Sequence, residues 1–179
     1  SDVCSSDPAS ETPPPVTPSP DDLYILYTGG TTGLPKGVLW RQADILVAAL
    51  GGRDAATGEL VGTLDAFAER ARAGGMRVLP SPPFMHGAGH WIALGAWHAG
   101  NTVVLQDHAD RFDADDVVTV IEREAVNLLL IVGDAFGKPL IEALGRREEP
   151  LGSLQIILSG GAALNASYKE RPIARLPQV

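Results

Sequence analysis

Residues 27 to 37 read Tyr-Thr-Gly-Gly-Thr-Thr-Gly-Leu-Pro-Lys-Gly, a combination suited to holding a polyphosphate. Gly29, Gly30 and Gly33 allow positive φ and let the backbone come close to a ligand. Successive amide N–H groups can then form an anion-binding concavity. Thr28, Thr31 and Thr32 add hydroxyl donors, and Lys36 adds a point positive charge. A Walker A loop, G-x-x-x-x-G-K-[ST], is excluded: Pro35 precedes Lys36 where that motif has glycine, and Gly37 follows where it needs Ser or Thr. The plainer alternative is a hairpin turn without a ligand. A turn, however, needs one or two glycines, not a run of hydroxyls closed by Pro-Lys-Gly.

Two further segments bear chemistry. Ser159-Gly-Gly-Ala162 follows the apolar run ending at Leu158. Glycines at the carboxyl end of a parallel strand are where open α/β sheets hold ligands, although they equally suit a tight strand-to-helix turn. In Pro82-Pro-Phe-Met-His-Gly-Ala-Gly-His-Trp91, glycines beside His86 keep backbone bulk low, as the wall of a tunnel requires. A lone histidine is more often a packed or surface residue, and His98 and His108 read as surface residues. Asp134 reads as a helix cap. No pair of carboxylates and no His/Cys cluster has metal-ligand spacing, so no metal ligand is assigned.

These segments need elements to position them. The polyphosphate loop lies between the apolar runs Leu23–Tyr27 and Val38–Trp40, read as strands. A short helical stretch covers 44 to 50. Apolar residues from Leu60 to Ala71 recur at helical spacing and stop at Gly74-Gly75. Strands are expected over 76–79, 102–105, 127–132 and 154–158, and helices over 91–99, after Asp113, and from Asp134. The run from Asn127 to Val132 is almost wholly apolar, as in a strand buried on both faces. Strands alternating with helices predict an α/β fold with a mostly parallel sheet flanked by helices.

The chain has 179 residues and a net charge of −8, one domain's worth of sequence. It is long enough to bury about two-thirds of its unfolded surface. The acidic balance, pI ≈ 4.9, argues against nucleic acid as the main partner. No apolar run reaches membrane-spanning length, and no signal peptide is legible at the start; a cytoplasmic location is expected. The single cysteine, Cys4, has no partner for an internal disulfide. Residues 1 to 20 are rich in Ser, Pro, Asp and Thr and read as a disordered leader.

Thr28-Gly-Gly-Thr-Thr-Gly-Leu-Pro-Lys-Gly-Val38 resembles the AMP-binding signature of the adenylate-forming superfamily: acyl-CoA synthetases, luciferases and peptide-synthetase adenylation domains. Gly29 stands where the family usually has serine. The longer stretch Leu26 to Arg41 is similar to the form in actinobacterial long-chain or steroid-side-chain acyl-CoA synthetases. Leu158-Ser-Gly-Gly-Ala-Ala-Leu164 resembles the family's segment that lines the adenine and acyl pockets, and it follows the signature in the family's order; Pro82–Trp91 is similar to the family's stretch beside the acyl pocket.

The resemblance implies that residues 21 to 179 are a partial AMP-binding (adenylation) domain. It further implies that Thr28, Gly29, Gly30, Thr31, Thr32, Gly33 and Lys36 bind the ATP phosphates. Ser159, Gly160, Gly161 and Ala162 would flank the adenine and acyl groups, with His86 and Gly87 at the acyl pocket. The implied substrates are ATP with Mg²⁺, a carboxylic acid (fatty acid or steroid side chain) and CoA. The family's Tyr-Gly-x-Thr-Glu and Thr-Gly-Asp segments and its C-terminal lysine are not among these residues, so no catalytic set is complete here. The expectation is a fragment inactive by itself. A nucleotide-binding module without catalysis, and a truncated remnant or interaction protein, stay open as alternatives.

Overall fold

The computed structural model describes residues 15–29, 33–54, 57–108 and 110–168. Gly30, Thr31 and Thr32 of the expected phosphate loop, and residues 1–14 of the expected leader, lie outside the described residues.

Strands β1 (Leu23–Thr28) and β2 (Lys36–Arg41) form an antiparallel hairpin, with Thr28 opposite Lys36 and Tyr24 opposite Trp40. Helices α1 (Gln42–Ala48) and α2 (Leu64–Ala73) follow. The chain then alternates: β3 (Arg77–Pro80), α3 (Gly87–His98), β4 (Thr102–Val103), α4 (Ala114–Arg123), β5 (Leu128–Ile131), α5 (Gly133–Gly145) and β6 (Ile156–Ser159). The four later strands make one parallel sheet in the order β4-β3-β5-β6. This is the α/β fold with a parallel sheet that the strand–helix alternation predicted.

Strand order and right-handed crossovers fix the layers. The step from β3 to β4 runs one way along the sheet, while β4 to β5 and β5 to β6 run the other. Right-handed connections therefore put α3 on one face and α4 with α5 on the opposite face. Burial agrees. Leu79, Leu129 and Ile131 pack in one cluster with Val117 and Ile121 of α4 and Leu140, Ala143 and Leu144 of α5. The alternate positions Val78 and Leu130 are equally buried but outside that cluster, as the two-residue period of a strand dictates.

Local chemistry explains the element ends. Val117 to Ile121 is β-branched throughout, a composition that lowers helix propensity. It is helical because Asp113 caps the start, accepting from the amides of Asp115 (3.2 Å) and Asp116 (3.3 Å). The buried stripe of Val117, Val118, Val120 and Ile121 then completes the helix. Pro80 ends β3 at no cost to the ladder. The Ser81 amide donates to Leu130 of β5, so the nitrogen of Pro80 faces β4, which pairs only with Arg77 and Val78.

Several boundaries differ from expectation, most by one or two residues. The helix expected from Leu60 starts at Leu64, because Thr63 accepts from the Ala66 amide at 3.2 Å and caps it there. The helix expected from Trp91 begins at Gly87, with the His86 ring as its cap. The strand expected over 102–105 pairs only through Val103. No helix among the described residues is long and apolar enough to cross a membrane.

Candidate functional site

The hairpin carries at its tip the ends of the stretch expected to hold phosphate, Thr28 paired with Lys36. Thr28 Oγ1 donates to the Lys36 carbonyl at 3.4 Å across the last pair, and Thr28, Gly29, Gly33 and Lys36 are all exposed. A Cβ built on Gly29 or Gly33 would meet nothing within 4 Å, so the backbone is open at these two positions. At the hairpin's base Arg41 pairs with Asp21, Nη2 to Oδ1 at 2.5 Å. The hydrogen bond that the guanidinium donates to Asp21 raises its pKa further above the usual value.

One face of the hairpin is fixed on α3. Trp91 Nε1 donates to the Tyr24 hydroxyl at 2.9 Å, and that hydroxyl also contacts His90 Nε2. The other ring nitrogen of His90, Nδ1, lies 2.9 Å from the Phe84 carbonyl and so carries the proton. The rings of Trp40 and Trp91 meet edge-on at 6.2 Å between centroids. Further along, Leu26 reaches Gly87, where a Cβ would lie 2.7 Å from Leu26 Cδ2. Tyr24 thus lies beside residues 90–91 and Leu26 beside residue 87. The strand runs toward the amino end of α3, the end that carries His86.

His86 is exposed and is the N-cap of α3, its Nδ1 accepting from the Ala88 amide at 3.2 Å. Its ring rests against the segment after β6: a Cβ on Gly161 would sit 3.2 Å from His86 Cε1. Gly161 has φ +85°, which glycine alone adopts without strain. Ser159 ends β6 and accepts from the Gly133 amide at 3.1 Å. Gly160 is open, and Ala162 abuts Gly133. The structure therefore brings His86 and Gly87 between Gly161 on one side and Leu26 of the hairpin on the other.

Sequence reading missed several features here. Asp134 does not cap α5: the cap position is Val132, with no side-chain bond, and the Asp134 carboxylate instead accepts from the Asn165 amide at 2.7 Å. His98 is not a surface residue. It is half-buried, its Nδ1 bonded to the Leu50 carbonyl and its ring edge-on to Phe67 at 6.0 Å. A mostly apolar cleft of about 330 Å³ opens at the carboxyl ends of β3 and β4, walled by Pro80, Pro82, Phe84, Leu105, Phe112 and Phe136. The rings of Phe112 and Phe136 lie 4.3 Å apart. Arg111 stands at its edge, paired with Asp110 at 3.6 Å and Asp113 at 3.4 Å. The prolines after β3 were legible as a strand end, but no local pattern joins them to Phe112 and Phe136. Among the described residues no group of three His, Cys, Asp or Glu side chains could hold a metal ion.

Comparison with known proteins agrees with this geometry. The family model of the AMP-binding enzymes matches residues 2–179, which includes the proline-rich start. The medium-chain acyl-CoA ligase Mig of Mycobacterium avium is 47% identical over 169 residues, 94% of this chain and 31% of the relative. A 3-oxocholest-4-en-26-oate–CoA ligase of Rhodococcus rhodochrous is 36% identical over 166 residues, 89% of this chain and 29% of the relative. The inhibitor-bound N-terminal domain of FACL13 from Mycobacterium tuberculosis shares the fold, with a TM-score of 0.67 and 24% identity over 90% of this chain and 36% of that one. The chain thus spans under a third of the length of these ligases, 31% and 29%. With the signature hairpin, the parallel sheet and the full-length family match all in agreement, the chain belongs to the AMP-binding enzyme family.

Proposed function

We propose that this chain supplies the phosphate loop and one wall of the nucleotide and acyl site of an AMP-forming acyl-CoA synthetase. In the proposed reaction a carboxylate attacks the α-phosphorus of ATP, forming an acyl-adenylate and releasing pyrophosphate. The CoA thiol then attacks the acyl carbon and AMP leaves. The observation that carries this reading is the junction at His86–Gly87, which touches Gly161 on one side and Leu26 of the signature hairpin on the other. Three segments far apart in sequence, each suited to one part of an acyl-adenylate, meet there.

Each residue has a physical part. Thr28, Thr31, Thr32 and the backbone amides of Gly29, Gly30 and Gly33 would donate to phosphate oxygens, with Lys36 offsetting their charge. Gly160, Gly161 and Ala162 would line the adenine side, and the apolar cleft beyond Phe84 would take part of an apolar acid. Mg²⁺ would neutralise charge on the transferring phosphate, and no residue of this chain is assigned to hold it. The ligases it resembles are described as acting on medium- and long-chain fatty acids or 3-oxocholest-4-en-26-oate, and a fatty or steroid-side-chain acid is the substrate class proposed here. Residues 21 to 179 are taken as the partial adenylation domain and 1 to 20 as a leader, acting in the cytoplasm.

The test is equilibrium binding of tripolyphosphate and of ATP to the 179-residue chain, with Lys36→Ala and Thr28→Ala variants. Removing the charged contact should cost about 1.5–3 kcal/mol and the hydroxyl about 0.5–1.5 kcal/mol. Unchanged affinity in both variants would remove the phosphate role. Carboxylate-dependent ATP–pyrophosphate exchange by the same chain would separate an active enzyme from a nucleotide-binding module.

A further inference from the structure

The turn from β5 into α5 holds the Ser159–Asn165 segment at both of its ends. The Gly133 amide donates to Ser159 Oγ at 3.1 Å. The Asp134 amide donates to the Ala163 carbonyl at 3.1 Å. The Asp134 carboxylate accepts from the Asn165 amide at 2.7 Å. Two adjacent residues therefore make three hydrogen bonds to one loop, before and after its glycines.

The approach is close enough to exclude a side chain. Gly133 has φ +55°, and a Cβ there would lie 2.6 Å from the Ala163 carbonyl oxygen and 2.7 Å from Ala162 Cβ. Any other residue would push the loop away from the sheet. Between the clamped ends lies Gly161, whose backbone rests on the His86 ring. Gly160 adds one further tie, its amide donating to the Ile131 carbonyl at 3.2 Å.

We propose that Gly133 and Asp134 are positioning residues: they clip the loop after β6 in place and so set Gly160 to Ala162 against His86, aligning the adenine side of the nucleotide site. Asp134 acts through Asn165 and Ala163 and touches no substrate. The inference rests on the reading of this loop as the adenine wall, and its test has one arm that does not.

That arm is amide hydrogen exchange on the full chain. In Asp134→Ala the Asn165 amide and the amides of residues 160–163 should exchange about tenfold faster than in the parent. Asp134→Asn, which keeps an acceptor oxygen, should restore the parent rates. The second arm is binding of AMP and of tripolyphosphate as separate probes. Asp134→Ala should weaken AMP about tenfold and leave tripolyphosphate within about twofold, because the phosphate loop is on the hairpin. Parent exchange rates in Asp134→Ala would overturn the clip, and so would a parallel loss of both ligands, which reports general loosening. Should the parent chain bind neither probe, the proposed function fails, and the exchange rates alone decide whether the clip exists.

Discussion

Gly161 and His86 touch across the carboxyl end of the sheet: a methyl group on Gly161 would meet His86 Cε1 at 3.2 Å, on a backbone held at φ +85°. Two restraints therefore select glycine here. Gly161→Ala is expected to destabilise the chain by about 1–2 kcal/mol from backbone conformation alone. A further steric part should be relieved in Gly161→Ala/His86→Ala. A double-mutant cycle by urea denaturation reads that coupling; strictly additive losses would show that the two residues do not press on each other in solution.

Tyr24→Phe keeps the ring and removes the hydroxyl that accepts from Trp91 Nε1. The indole N–H is then left without this acceptor in a half-buried site, at a cost of about 1 kcal/mol. Because Tyr24 ties the hairpin to α3, the β1–β2 amides should lose exchange protection while those of β5 keep theirs. Uniform loss across both sheets would mean the hairpin is not a separately anchored unit.

Asp113 gives the fold a dependence on acid. Its carboxyl lies below the usual aspartate range, chiefly through the Asp116 amide and then through Arg111 and the Asp115 amide. A depressed folded pKa means the stabilisation is fully present above the unfolded value and is lost as the pH falls through about 4 and below. Asp113→Asn retains the capping oxygen without the titration, so its stability should fall less steeply over that range. Parallel melting-temperature profiles for parent and variant would place the acid sensitivity elsewhere.

Leu129 is fully buried in the strand between β3 and β6 and packs between sheet and helices. Leu129→Ala should cost about 2–5 kcal/mol, the largest effect among these variants. Chemical denaturation measures it, and a loss below 1 kcal/mol would mean the cavity collapses without strain.

The outward face of the hairpin carries Leu23, Ile25, Tyr27 and Leu39, all exposed, and the edge strand β6 exposes Ile156 and Leu158. Uncovered apolar surface and an open strand edge favour association. Light scattering of the 179-residue chain should show species larger than a monomer, and Ile25→Thr with Leu39→Lys should shift them toward the monomer. A monomeric parent at high concentration would show that these faces do not associate.

The sequence alone determined the fold class and the order of the elements, because these depend on local patterns. The alternation of apolar runs with helical periodicity required a parallel sheet, and Asp113 marked the start of α4 against a β-branched composition. The Thr28–Lys36 stretch carries the family signature in its residue types, and glycine, threonine and lysine together are what the proposed phosphate role rests on. What only the tertiary structure decided is which distant residues meet. Asp134 looks like a helix cap locally, yet the nearest donor for its carboxylate is the Asn165 amide, brought in by the parallel pairing of β5 with β6. Tyr24 and Leu39 are both hairpin residues of an apolar pattern; strand alternation puts one on α3 and the other in solvent, and register settles which. The apolar cleft joins residues from β3, from the segment after β4 and from α5, so no single segment could announce it. Contacts of that kind depend on chain crossovers, and a linear pattern carries no term for them.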